Sequence, residues 1–142
     1  MKPLLIGQGP GRGKGEPLAG RAGKKLAQLA GLSLDDFLEA TERINLLPRW
    51  LGKNGKGDQA PPRLLRNAAR QLIHSGILDG RAVLVVGLAT AKAIDREAEC
   101  RRTWHQVTIP HPSGINRWWN EPKNEQLASR VLREFFGGAP HP

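Results

Sequence analysis

The sequence predicts an α/β protein of three layers, α/β/α, in which a central four-stranded parallel sheet lies between two layers of helices. Short apolar runs alternate with amphipathic stretches along the 142 residues, so that strand and helix follow each other four times. This alternation is typical of a parallel sheet covered by helices on both faces. The run at 82–86 is apolar throughout, as expected of a central strand in such a sheet.

The first third of the chain predicts two strands and two helices. In chain order these are a strand at 3–6, a helix at 21–30, a helix at 34–40 and a strand at 41–47. A glycine-rich loop at 7–20 separates the first strand from the first helix, which ends at Gly31. Ser33 has the properties of an N-cap for the second helix, and Pro48 closes the second strand.

The remainder of the chain predicts three helices and two strands. In order these are a helix at 64–75, a strand at 82–86, a helix at 88–97, a strand at 104–109 and a helix at 121–136. The first of them has an apolar face that includes Leu64, and a charged, glycine-rich surface loop at 51–62 precedes it. We expect one domain over residues 1–136, followed by a loose tail at 137–142.

Charge and cysteine content narrow the classes of function. The chain has 22 Lys and Arg against 13 Asp and Glu, a formal charge of +9, which favours a polyanionic partner. Nucleic acid is the first candidate; an anionic membrane surface and a basic protein without such a partner are the alternatives. Cys100 is the only cysteine, which excludes an intramolecular disulfide framework and any metal site built from several thiolates.

Several absences in the sequence add expectations. The four histidines lack metal-ligand spacing, and we expect neither a metal nor an organic cofactor. No apolar run approaches the roughly 20 residues of a membrane span, and no signal peptide is recognised at the start, so we expect no membrane association and a cytoplasmic location. The glycine-rich loop matches neither the Walker A pattern nor the dinucleotide-binding fingerprint, which disfavours NTP hydrolysis and NAD binding.

Two turns at opposite ends of the chain each follow a predicted strand. One spans residues 7–11 and the other residues 110–117, and both are rich in Gly and Pro. Because the carboxyl ends of parallel strands meet at one edge of a sheet, the two turns are expected to face each other across a pocket. His111 is the only strongly reactive side chain in either turn. This arrangement favours an enzyme or a binder of nucleotide bases over a scaffold.

The motifs of these turns resemble those of the uracil-DNA glycosylase superfamily. They are, in chain order, Gly7-Gln8-Gly9-Pro10-Gly11, Gly20-Arg21-Ala22-Gly23, Asn45 at a strand end, Gly87-Leu88-Ala89-Thr90-Ala91-Lys92-Ala93, and Pro110-His111-Pro112-Ser113-Gly114. They occur in the order and at separations suited to that fold, and the resemblance covers nearly the whole chain. It implies a uracil-DNA glycosylase-like fold and a DNA substrate.

The resemblance implies a role for each pocket residue. His111 donates to O2 of the departing pyrimidine, assisted by backbone amides around Gln8 and Gly9. Asn45 reads the base, since its amide can pair with uracil N3–H and O4. Leu18 stands where an aromatic side chain usually stacks on the pyrimidine. Gly11 stands where the strictest uracil enzymes have a tyrosine, which implies that bases carrying a C5 substituent can enter.

The resemblance also implies a set of DNA contacts. Ser113, Gly114 and the turn after Gly87 approach phosphates, and Arg117 contacts phosphate rather than reading sequence. An apolar wedge that replaces the extruded base is expected nearby, with Ile115 as the first choice and Trp118 as the second. The alternative for the adjacent pair Trp118 and Trp119 is that both pack the last helix against the core.

The chain departs from the family pattern in its first motif. Neither Gln8 nor Gly9 can act as a general base, although many members carry a carboxylate there; Glu16 is the possible substitute. The prediction is therefore a monofunctional, monomeric DNA glycosylase that uses water to hydrolyse the N-glycosidic bond of uracil or a related pyrimidine. The alternative is a weakly active or inactive module on the same fold that recognises a base or DNA without cutting.

Overall fold

The structure is a computed structural model that describes residues 1–9, 16–47, 61–99, 101–112 and 116–137. Its elements are β1 (Leu4–Gly7), α1 (Arg21–Ala30), α2 (Leu34–Ala40), β2 (Glu42–Asn45), α3 (Pro62–His74), β3 (Ala82–Val86), α4 (Leu88–Ala98), β4 (His105–Ile109), a 3-10 helix (Arg117–Asn120) and α5 (Pro122–Gly137). Each predicted strand and helix is found, with ends that shift by up to about two residues.

The four strands form one parallel sheet in the order β2-β1-β3-β4. The pairing of β1 with β2 continues past the strand ends, because the amides of Leu46 and Leu47 donate to the carbonyls of Gly7 and Gln8 over 2.7 Å. The chain passes outward from β1 to β2 and outward from β3 to β4. The junction of β1 and β3 is therefore the point at which the strand order reverses, where open α/β sheets bind their ligands.

Alternate side chains of each strand enter two separate cores. Leu4 and Ile6 of β1 pack with α3 and α4 on one face, and Leu5 packs with α1, α2 and α5 on the other. All three side chains are fully buried. The sheet therefore lies between two helical layers, which confirms the predicted α/β/α architecture and its central four-stranded parallel sheet.

Local signals in the sequence account for the ends of the helices. Gly31 ends α1 in the left-handed region at φ 76°, and the amides after the helix return to its last carbonyls. The Ser33 hydroxyl accepts the amide of Asp36 over 3.1 Å as the N-cap of α2, as predicted. Proline occupies the first position of α3 and of α5, where a missing amide proton costs nothing.

Two features differ from the predictions. Leu64, placed on the apolar face of α3, is 42% exposed, because it lies at the margin of the face that Leu65 and Ala69 bury. Residues 117–120 form a 3-10 helix that the pattern of apolar residues does not predict.

Residues 138–142 of the expected tail lie outside the described residues. None of the helices in the described part of the chain is long and apolar enough to cross a membrane.

Candidate active site

The carboxyl edge of the sheet brings together residues from all four strands. Asn45 ends β2, Gly7 ends β1, Gly87 follows β3 and His111 lies two residues after β4. Neighbouring strands lie about 4.8 Å apart, so the two outer strands are separated by roughly 14 Å. Both outer residues approach the central strands, which concentrates the polar side chains of this edge near the junction of β1 and β3.

The side chains of Leu18 and Asn45 both lie against Gly7. A Cβ atom placed on Gly7 would lie 3.2 Å from Leu18 Cδ2 and 3.3 Å from Asn45 Oδ1. The Asn45 side chain therefore extends over β1, and the Leu18 side chain faces it across the bare glycine. An apolar group and a side-chain amide are the two kinds of group that a planar, polar ring requires, because one contacts its face or edge and the other pairs with its polar atoms.

Leu18 is held in an unusual backbone conformation. Its φ of 53° lies in the left-handed region, which is uncommon for a branched side chain and costs of order 1–3 kcal/mol. The first turn of α1 packs tightly against it, since a Cβ on Gly23 would lie 2.0 Å from the Leu18 carbonyl oxygen. A conformation of this cost persists only where the surrounding structure fixes it, and such residues cluster at functional sites.

Arg43 of β2 fixes the segment that precedes Leu18. Its guanidinium donates to the carbonyls of Pro17 and Leu38, over 3.2 and 3.0 Å, and pairs with the Glu16 carboxylate at 3.1 Å. The Arg43 side chain is 12% exposed, whereas that of Glu16 is 71% exposed. The predicted carboxylate of the site is thus engaged in an ion pair that ties the loop to the sheet.

Gly87 and His111 lie close together at the ends of β3 and β4. The Gly87 amide donates to the Ile109 carbonyl over 2.8 Å, and φ at Gly87 is 113°, a value that strongly favours glycine. A Cβ on Gly87 would lie 3.8 Å from Thr90 Oγ1 and 4.0 Å from His111 Cβ. The Thr90 hydroxyl is buried and has no hydrogen-bond partner within the described residues.

The backbone of His111 is held by the segment that follows it. Its carbonyl oxygen accepts the indole N–H of Trp119 over 2.8 Å and the side-chain amide of Asn116 over 3.4 Å. Trp119 stacks edge-to-face with Trp118, at a centroid distance of 4.7 Å, and both rings pack against the core of the α1–α5 face. These bonds fix the position of His111 relative to the helical layer.

Burial sets the protonation state of His111. Its half-buried imidazole is partly desolvated, and this lowers the pKa of His111 below its ordinary value of about 6.5. The ring is therefore neutral near pH 7 and keeps one N–H to donate. A neutral histidine can stabilise developing negative charge on a substrate oxygen without carrying a charge in the ground state.

The lowered pKa predicts a pH dependence of stability. Above about pH 6.5 His111 is neutral in both the folded and the unfolded chain and contributes no dependence. Below that value the unfolded chain binds a proton that the folded chain resists, so stability falls as the pH drops towards the folded-state pKa. We expect His111→Gln to lose less thermal stability than the wild type between pH 7.5 and 5.5. Equal losses of Tm in the two proteins would contradict this expectation.

The predicted site residues are only partly brought together. Leu18, Asn45, Gln8 and Gly9 lie near one another at the ends of β1 and β2, and Gly87 lies beside His111. Trp118 is half-buried beside Trp119, while Arg117 is exposed on the 3-10 helix. Four predicted residues lie outside the described part of the chain: Gly11, Ser113, Gly114 and Ile115.

Sequence reasoning missed three residues that shape the site. Arg43 carries a charge inside a short strand, which is the one local signal of its anchoring role. Trp119 and Asn116 follow His111 closely in the chain, but nothing in the sequence indicates that both donate to its carbonyl oxygen. Among the described residues, no group of three or more His, Cys, Asp or Glu is placed to hold a metal ion.

Comparison with known proteins identifies a family. The model of the family described as "UDG: Uracil DNA glycosylase superfamily" matches residues 1–136 of the chain. No significant match is found among curated proteins or among solved structures.

Proposed function

The chain belongs to the uracil DNA glycosylase superfamily, and on this premise we propose that it is a monofunctional DNA glycosylase acting on uracil or a related pyrimidine. The proposal assigns base excision in DNA repair to a single domain, residues 1–136, acting as a monomer. The observation that carries it is the placing of Asn45 and Leu18 beside Gly7 at the end of β1, and of a neutral His111 beside Gly87 at the end of the neighbouring strand β3. Base recognition and leaving-group stabilisation both require groups at this edge.

The side chains beside Gly7 support the recognition step. An extruded pyrimidine is read by hydrogen bonds to its polar edge and by contact with its ring face. In the proposal the Asn45 carbonyl accepts from N3–H and its amide donates to O4, while Leu18 contacts the ring. Leu18 offers apolar contact without the quadrupole of an aromatic ring. The site therefore binds a base less selectively than a site with a stacking aromatic side chain does.

The chemistry assigned to the site is hydrolysis of the bond between the sugar and the base. The glycosidic electron pair leaves with the base and places negative charge on O2, where His111 donates its N–H. Water adds to the sugar carbon, and the proton that it loses neutralises the departing base anion, so that the products are an abasic site and the free base. Preorganised donors at the point where charge develops contribute about 100- to 1000-fold each. Backbone amides around Gln8 and Gly9 are the further donors in this proposal.

One observation favours the alternative of a recognition module. Glu16, the carboxylate nearest to the first motif among the described residues of this loop, is paired with Arg43. A glycosylase without a free carboxylate has to orient water through a group such as the Gln8 side chain, which cannot accept the proton. The alternative keeps base binding at Asn45 and Leu18 and dispenses with bond cleavage.

An excision panel tests the proposed function. Labelled oligonucleotides that carry one uracil, 5-hydroxymethyluracil, thymine, hypoxanthine or modified cytosine are incubated with the protein, in single and double strands. Alkali then converts each abasic site into a strand break. We expect cleavage at uracil or at a C5-substituted uracil, and none at hypoxanthine. If the folded protein binds DNA but releases no base from any substrate, the proposed glycosylase activity is refuted and the recognition module is supported.

A further inference from the structure

Helix α3 carries positive charge and no acidic side chain. Its basic residues are Arg63, Arg66, Arg70 and His74. These four residues are separated by three, four and four positions, so they lie on one side of the helix. The buried Leu65 and Ala69 lie on a different side. The result is a basic stripe that runs along the length of the helix.

The stripe borders helix α4, which packs against α3. Arg70 Nε lies 3.2 Å from Glu97 Oε2, and the Arg70 side chain is 58% exposed whereas that of Glu97 is 15% exposed. Glu97 thus lies beneath the arginine and presents little negative charge to solvent. Lys92 and Arg96 of α4 are exposed and add two positive charges, four residues apart.

Five side chains form what we call the basic ridge: Arg63, Arg66, Arg70, Lys92 and Arg96. The other acid of the two helices is Asp95, which pairs with Arg102 and accepts the side-chain amide of Gln106 on β4. Both acids within α3 and α4 are thus engaged, and one of the five cations is neutralised by a pair. The outer surface of this helical layer carries an excess of positive charge.

The ridge begins at the edge of the sheet that holds the candidate active site. Helix α4 starts directly after Gly87, and α3 ends at His74, close to the start of β3, so both helices run from the carboxyl edge to the amino edge. From Arg63 to Arg70 the stripe covers about 10 Å at 1.5 Å per residue. That is the axial length of roughly three base pairs of duplex DNA.

We propose that the basic ridge binds the phosphate backbone of duplex DNA beside the nucleotide held in the candidate active site. The inference rests on the proposed function only in taking DNA as the partner. Regularly spaced cations suit the regular phosphates of a duplex, and each phosphate neutralised releases counterions, which drives binding. On the opposite face, as far as the structure describes it, cations and acids are mixed. Lys123, Arg130 and Arg133 of α5 lie among Glu125 and Glu134. Helix α1, with exposed Arg21 and Lys24, packs beside α2, which exposes Asp35, Asp36 and Glu39.

A matched pair of double variants tests the ridge. Arg63→Gln/Arg66→Gln removes two charges three residues apart on α3, and Arg130→Gln/Arg133→Gln removes two at the same spacing on α5. Binding of an unmodified duplex of roughly 20 base pairs is measured from low to high salt. We expect the α3 variant to bind about tenfold more weakly at 0.1 M salt, with a salt slope smaller by about 1.8. The α5 variant keeps the slope of the wild type.

Each other result overturns the proposal. Equal losses in the two variants would mean that net charge alone governs binding, and unchanged binding of the α3 variant would mean that the ridge contacts no DNA. A loss confined to RNA of the same length would assign the ridge to RNA instead. Circular dichroism of both variants checks the fold. DNA binding by the variants tests the basic ridge, and base excision by the wild-type chain tests the proposed function. Either proposal can therefore be refuted without the other.

Discussion

Replacing His111 by alanine is expected to slow base excision by about 100- to 1000-fold while leaving DNA affinity nearly unchanged. His111, with a neutral imidazole, lies beside Gly87 at the carboxyl edge, and its N–H is the donor assigned to O2 of the leaving base. Its contribution appears only as negative charge develops on O2, so its loss raises the barrier without weakening ground-state binding. Single-turnover excision of the preferred base, with DNA binding measured in parallel, gives both quantities.

His105→Ala is the matched control for this prediction. His105 begins β4 and is exposed, so it lies at the opposite end of the same strand, away from the candidate active site. We expect its excision rate to stay within about twofold of the wild type, as for a surface substitution away from the site. A His111→Ala protein that is folded and retains full excision would remove the histidine from the mechanism. A variant that loses excision and DNA affinity together would place His111 in binding instead.

The architecture was predictable because its signals are local. The alternation of apolar strands with amphipathic helices, the Gly31 stop and the Ser33 cap are each decided within a few residues, and the structure confirms them. The exposure of Leu64 shows the limit of such reasoning. A helical pattern marks an apolar face, but the width of that face depends on the neighbouring helix.

The roles of the site residues stay predictions, while their surroundings come from the structure alone. His111 and Asn45 follow from their places after strands and from a family resemblance. The anchoring of the Leu18 loop by Arg43 and of the His111 carbonyl by Trp119 joins residues that are distant in the chain or irregular in structure. Contacts of this kind leave no periodic trace in a sequence. The same holds for the ion pair of Glu16, which only the folded chain brings to Arg43.

Gly23→Ala is the stability change with the largest expected effect. Alanine inside a helix is ordinarily more favourable than glycine by about 1 kcal/mol. In α1 the added Cβ would lie 2.0 Å from the carbonyl oxygen of Leu18 and 2.9 Å from its carbonyl carbon. Backbone atoms cannot rotate away, so either α1 or the Leu18 loop must move. We expect a loss of about 1–3 kcal/mol, which lowers Tm by roughly 4–12 °C in a chain of this length.

The displaced loop should also impair the candidate site. Leu18 and Asn45 both lie against Gly7, so a shift of the Leu18 backbone changes their relative position and lowers excision even well below the Tm of the variant. Gly137→Ala at the end of α5 is the control, because its new Cβ meets no atom within 4 Å and is expected to be neutral or slightly stabilising. A Gly23→Ala protein as stable as the wild type would contradict the close packing of α1 on Leu18. Lower stability with full excision would separate this packing from the chemistry of the site.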